Sequence, residues 1–127
     1  MTAGNNRQKM RRRAAESAGR RAEVLASIFL RLKGYTVLHR RYRAPSGEID
    51  LIARRGNLLA FVEVKHRAIL EDAIGAVSAQ ARRRIERAAD MFVAKNSALA
   101  QCDMRYDIVA IAGWRVRHIS NAWRYGE

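Results

Sequence analysis

GEIDLIARRGNLLAFVEVK, residues 47–65, is the stretch on which the reading of the chain turns. Two strand-like runs, residues 48–55 and 58–65, flank Gly56-Asn57, a pair suited to a tight hairpin turn that needs positive φ. Counting outward from a two-residue loop sets Arg55 opposite Leu58, Ile52 opposite Phe61, Asp50 opposite Glu63 and Glu48 opposite Lys65. Side chains alternate along a strand, so Ile49, Leu51, Ala53, Ala60, Val62 and Val64 share one wholly apolar face that must be buried. The other face carries Glu48, Asp50, Ile52, Phe61, Glu63 and Lys65.

Two readings of that second face stand side by side. Half-buried strands alternate apolar and charged residues as a matter of course, and Glu48 across from Lys65 makes an ordinary cross-strand ion pair. Asp50 across from Glu63 is different, because two carboxylates roughly 5 Å apart at Cβ repel unless a proton or a cation sits between them. A hard ion such as Mg2+ is held by one or two carboxylates together with water and substrate phosphates. Lys65, one pleat from Glu63 on the same face, is placed to hold or polarise an attacking water.

The composition bounds the partner. At 127 residues the chain is one domain, and its 49% hydrophobic and 29% charged residues are those of a globular protein. A net charge of +13 is unusual and points to a polyanion, with nucleic acid the first candidate. An anionic membrane is the weaker candidate, because the basic residues are spread along the chain and no long apolar run is present. Cys102 is the one cysteine, which excludes an intrachain disulfide and a zinc site of several cysteines. His39, His66 and His118 show no ligand spacing and read as surface or strand-end residues. No apolar segment follows the basic start, so a cytoplasmic protein is expected.

Around the hairpin, residues 1–13 are rich in Arg with almost nothing to bury and read as a disordered basic arm, either contacting nucleic acid or serving as a solubilising tail. Residues 14–127 then form the single domain. Ala18, Ala22, Leu25, Phe29 and Leu32, widened by Val24 and Ile28, give residues 14–33 the stripe of an amphipathic helix that stops at Gly34. Glu23 lies on it among arginines, where a local ion pair is the simplest role. Residues 35–43 read as a strand, and residues 44–47 turn into the hairpin beside Arg40, Arg41 and Arg43, which are either phosphate contacts or plain surface charge. A second helix over residues 73–94 buries Ala73, Val77, Ile85, Ala88, Ala89 and Phe92 and exposes Arg82, Arg83 and Arg84 to a phosphate backbone. A strand over residues 104–112 contains Asp107, read as a buried acid paired with an arginine, and a short final strand covers residues 115–119. Trp114, Trp123 and Tyr125 either stack on bases or pack a sheet end, the latter being the commoner use.

GEIDLIA followed by FVEVK, with GRRAE upstream and RYDIV downstream, resembles the YraN-like family of small bacterial proteins (UPF0102) over residues 19–124. That family is similar to the restriction-endonuclease-like (PD-(D/E)xK) superfamily, whose site is an Asp followed by Glu-x-Lys on adjacent strands. The order of elements read from the periodicities, αβββαβ with a short final strand, implies an α/β fold with one mixed sheet flanked by helices, and the resemblance implies that this is a restriction-endonuclease-like core. It implies catalytic roles for Asp50, Glu63 and Lys65, with Glu23 as an auxiliary ligand to Mg2+ or Mn2+, and phosphodiester hydrolysis in DNA, of branched or damaged form, ahead of RNA. The second helix departs from the family pattern, with Ala81 where a Lys or Gln is common and Gln80 beside it. A nuclease-like fold that binds nucleic acid without turnover, and a basic RNA or ribosome accessory protein, are the competing readings. The oligomeric state stays open, a homodimer included.

Overall fold

The expected hairpin closes at Gly56, whose φ of 59° is positive while that of Asn57 is not, the pattern that places Gly first in a two-residue turn. The computed structural model to which it belongs describes residues 3–127. Helix α1 (Ala3–Leu32) precedes β1 (Thr36–Ala44), β2 (Gly47–Arg55) and β3 (Leu58–His66). These are followed by α2 (Leu70–Ile74), α3 (Ala79–Lys95), a 3-10 turn (Ser97–Leu99), β4 (Asp103–Ala112) and β5 (Arg115–Trp123). The strands make one open sheet in the order β1-β2-β3-β4-β5. The β3–β4 pair is parallel and the other three pairs are antiparallel. A parallel neighbour cannot be reached by a tight turn, and the α2–α3 segment supplies the crossover.

The sheet is covered on both faces. Ala22, Ala26 and Leu30 of α1 pack on Leu51, Ala53, Ala60, Val62, Val109 and Ile111. On the other side Ile85, Ala88, Ala89 and Phe92 of α3 pack on Ile49, Ile52, Leu59, Phe61, Tyr106 and Ile108. Leu70 and Ala73 of α2 complete that layer against Ala110 and Ala112. The fold is therefore α/β, with a mixed five-stranded sheet between helices.

Several expectations are corrected. Ile49 is buried under α3, not beside Leu51. The β2–β3 ladder ends at Leu51↔Val62, and Arg41, opposite the next residue on the β1 side, has a positive φ of 50°, so β2 loses regular alternation at Asp50. Glu48 consequently does not meet Lys65; it pairs in register with Arg43 of β1. The buried stripe of α1 runs through Ala22, Ala26 and Leu30, leaving Val24, Ile28 and Leu32 exposed. Small side chains let the helix approach the sheet closely, a preference to which the spacing of large apolar residues is blind.

The helix expected over residues 73–94 is broken in two, and α3 restarts at Ser78, whose hydroxyl accepts from the Ala81 amide. The last strand is not short, since β5 runs to Trp123. Residues 3–13, read from the sequence as a basic arm, are the opening turns of α1, with Met1 and Thr2 outside the described residues. Gln, Lys, Met and Arg all carry good helix propensity, and the amphipathic helix that follows supplies the nucleus they extend.

Candidate active site and nucleic-acid surface

The site begins where β2 separates from β3. A strand that leaves its ladder strands an amide on its neighbour, and here the Asp50 carboxylate takes it, accepting from the Val64 N–H at 2.8 Å. This fixes the carboxyl against β3, within hydrogen-bonding reach of Glu63. Burial of Glu63, then the hydrogen bond and charge of Asp50, push its carboxyl up to about 10, while Lys65 pulls modestly the other way and Glu48 adds to the rise. At neutral pH the pair thus holds a proton between two half-buried acids. Asp50 approaches Glu63, with the charge of Lys65 close by, but the Asp50↔Glu63 ladder pair that the hairpin register predicts does not form, since the β2–β3 ladder ends at Leu51↔Val62 and Asp50 bonds the Val64 amide instead.

Glu23 is placed differently. Its carboxylate accepts from Arg41 Nε at 2.8 Å, and this contact, ahead of the charges of Glu48 and Asp50, raises the Arg41 guanidinium above its ordinary value. Arg41 therefore stands between Glu23 and the Asp50 side of the site. Among the described residues no group of three or more His, Cys, Asp or Glu side chains is arranged to hold a metal ion. The Asp50–Glu63 pair is a donor set of the kind Mg2+ uses, two hard carboxylate oxygens with the remaining positions left to water and phosphate, and exchange of the shared proton for a cation relieves its repulsion.

The six arginines expected to face nucleic acid divide in half. Arg40, Arg43 and Arg84 are exposed, and Arg43 lies a loose 3.6 Å from Glu48. Arg84 backs onto Gly47, where a Cβ would come within 3.0 Å of its own Cβ, so β2 enters the sheet directly against α3. The other three are engaged by neighbouring side chains, Arg82 and Arg83 half-buried and Arg41 still exposed. Arg41 holds Glu23, Arg83 donates to Glu86 at 2.6 Å, and Arg82 lies over the Trp123 ring at 5.4 Å.

Two buried acids organise this surface from below. Glu86 also accepts from Trp123 Nε1 at 3.0 Å and from the Gly126 amide at 3.0 Å, tying the chain end to α3. Trp123 is consequently a packing residue, whereas Trp114 is 87% exposed. Asp107 is fully buried and takes Arg105 through both oxygens, at 2.8 Å and 2.7 Å, confirming the arginine-paired reading. It also meets His118 Nε2 at 2.8 Å and the Asn121 amide at 2.9 Å. Burial raises the Asp107 carboxyl, but His118 and Arg105 outweigh it and the net displacement is downward. His118 is not the surface residue expected, its side chain being 1% exposed. Lys33 Nζ reaches its Nδ1 at 2.7 Å, and an ammonium can only donate, so the Nε2–H is the proton given to Asp107. His118 has no sequence neighbour that betrays its role, because β4–β5 pairing brings Asp107 to it, and Glu86 has only Arg83 one turn away on α3, its Trp123 and Gly126 partners arriving with the chain end.

α1 extends the charge beyond the core. Residues 6–17 are all exposed, and the stretch from Arg7 to Arg13 carries Arg7, Lys9, Arg11, Arg12 and Arg13. No helix among the described residues is long and apolar enough to cross a membrane.

The hairpin and its sheet recur in known proteins. The profile of the Uncharacterised protein family UPF0102 matches residues 22–111, which contain the hairpin, the β3–β4 crossover and most of β4. A UPF0102 protein of Paramagnetospirillum magneticum is 50% identical over 116 residues, covering 87% of this chain and 90% of that one. One from Chelativorans is 47% identical over 117 residues, covering 91% and 94%. One from Caulobacter vibrioides is 47% identical over 111 residues, covering 87% and 89%. With matches of that extent over the hairpin and the sheet that holds it, the chain belongs to the UPF0102 family.

Proposed function

We propose that this protein is a divalent-metal-dependent phosphodiesterase of the restriction-endonuclease-like type, acting on DNA, branched or damaged DNA included, in the cytoplasm. The observation that carries the reading is the half-buried Asp50–Glu63 pair beside Lys65 at the end of β3. Two acids held together at the cost of a shared proton, next to a lysine and within a strongly basic protein, make a site for a cation and a phosphate.

Asp50 and Glu63 would hold Mg2+ or Mn2+, with Glu23 as an auxiliary ligand once its contact with Arg41 opens. Bound there, the ion would supply Lewis acidity toward a phosphoryl oxygen and lower the pKa of water. The protein's own part is positional. The Val64 amide fixes Asp50, burial keeps Glu63 from free exchange with bulk water, and Lys65 orients water and stabilises charge developing on the phosphate. Arg40, Arg43 and Arg84 steer the backbone.

Cleavage of a panel of linear, nicked, flapped and four-way DNA, with RNA counterparts, tests the reading. The parent is expected to cut at least one DNA substrate with Mg2+ or Mn2+, and Asp50→Asn and Glu63→Gln to lose that activity. Absence of cleavage across the panel, with metal shown to be bound, would leave a nucleic-acid-binding module.

Charge sets a second expectation. Binding should weaken steeply with salt, because each phosphate neutralised by the protein releases condensed counterions. Deletion of residues 1–13 removes five basic side chains and should reduce the slope of log K against log salt by about 0.9 for each phosphate they neutralise. Affinity indifferent to salt would rule out the polyanion altogether.

A further inference from the structure

A cleft lies beside α1, away from the paired carboxylates. It has a volume of about 400 Å3, within the range of small-ligand sites. Ala18, Val24, Leu25 and Trp114 make its apolar lining, and Arg20 and Arg21 bring two cations to it. Trp114 sits in the two-residue turn between β4 and β5, after Gly113 at φ 62°, and the pairing Ala112↔Arg115 fixes that turn. One of the chain's two tryptophans is thus raised at a tight turn and left 87% exposed beside an apolar cleft. An exposed apolar surface rimmed by arginines marks an interaction site.

The position of the cleft ties it to the hairpin. His66 also lines it, and His66 follows Lys65 directly, so the cleft and the proposed catalytic lysine occupy opposite faces of the same end of β3. The basic turns of α1 continue from its rim. A strand of nucleic acid passing over the end of β3 therefore meets Lys65 on one side and an aromatic platform with two guanidinium groups on the other. A base inside a duplex offers only its edges to a protein, whereas an unpaired base has a free face for stacking.

We propose that the cleft formed by α1 and the β4–β5 turn binds an unpaired nucleobase stacked on Trp114, so that the substrate presented to the hairpin site carries a single-stranded or extrahelical nucleotide. The inference rests on the phosphodiesterase reading for its substrate and adds the structural class of that substrate. Trp114 supplies the stacking face, the apolar lining excludes water, and Arg20 and Arg21 hold the flanking phosphates.

The test uses binding without added metal, which keeps it separate from cleavage. Of the two tryptophans Trp123 is buried at 2% exposure, so fluorescence quenching on binding reports Trp114. A short single-stranded oligonucleotide is expected to quench the full-length protein, and an abasic strand of equal length to quench it much less. Trp114→Ala should weaken single-strand binding roughly 5- to 150-fold, the measure of one base–aromatic stack. Its affinity for a fully paired duplex should stay within about twofold, and Trp114→Phe should keep most of the single-strand affinity. Trp114 buries little, so the substitution is not expected to disturb folding. Equal binding of abasic and normal strands, or a Trp114→Ala variant weakened alike on single strand and duplex, would overturn the base site. Self-association of the parent that Trp114→Ala abolishes, with nucleic-acid affinity unchanged, would overturn it in favour of an interface between copies. Stacking intact without cleavage in the metal-containing panel would overturn the phosphodiesterase reading alone.

Discussion

Lys65→Ala is expected to lower the rate of cleavage by at least about 10²- to 10³-fold, the usual consequence of removing one donor aimed at developing charge. Substrate affinity should change by less than about twofold. Lys65 is one cation in a chain of net charge +13, and binding to a phosphate backbone is summed over many contacts. Its distinct contribution comes from where it stands, beside Glu63 at the end of β3, and a contact made in the transition state shows itself in kcat and not in KM. Charge removal on the flank should do the opposite. A triple replacement of Arg40, Arg43 and Arg84, which are exposed, should weaken binding while single-turnover cleavage of bound substrate is kept. Single-turnover kinetics with saturating enzyme separates the two cases. Equal loss of affinity and rate in Lys65→Ala would reduce that lysine to one more phosphate contact.

Asp107→Ala should produce the largest loss of stability, about 3–5 kcal/mol, because it strips the counter-charge from a partly buried guanidinium. Arg105 would be left with Tyr35 alone, and the His118 Nε2–H and the Asn121 amide would lose their acceptor. Urea midpoints at constant m-value measure the effect. A pH dependence accompanies it. The Asp107 carboxyl is lowered in the folded state, so its contribution is present above the ordinary carboxylate pKa of about 4 and is lost as pH falls below that toward the folded value. The acid limb of the parent's stability curve should therefore flatten in Asp107→Ala. An unchanged urea midpoint would show that the network is dispensable.

What the sequence discloses follows from where its information is local. The two-residue loop at Gly56-Asn57 sets the pairing Arg55↔Leu58, and alternation then carries it to Ile52↔Phe61 without further knowledge. The approach of Asp50 to Glu63 is legible for the same reason. The break in β2 is not, because a carboxylate standing in for a ladder acceptor at Val64 is an outcome of three-dimensional fit. Ile49 moves to the α3 face with that break. The α1 stripe is hard to read because apolar residues surround much of the helix and the buried ones include the small Ala22 and Ala26. Glu23 reads as a site residue by its motif, yet its partner Arg41 comes from β1, eighteen residues on, at a backbone position of positive φ. Asp107 and His118 meet only because β4 and β5 pair, so a histidine without ligand spacing becomes part of the buried framework.

Glu63 is the residue on which a cation site at the hairpin depends most, and its carboxyl can be followed directly by 13C NMR across a pH titration, with and without Mg2+. Without metal the folded protein is predicted to hold the Glu63 proton far above the ordinary glutamate pKa of about 4.3. Burial and the neighbouring Asp50 carry it up to about 10. A raised folded pKa means that the native state binds the extra proton, so this group's contribution to stability is full below the unfolded pKa and declines as pH rises toward the folded value. Millimolar Mg2+ should displace the proton at neutral pH, lower the midpoint and restore stability at alkaline pH, and Glu63→Gln should abolish both responses. Titration of Glu63 near its ordinary value, unmoved by Mg2+, would contradict the metal site and the phosphodiesterase reading built on it.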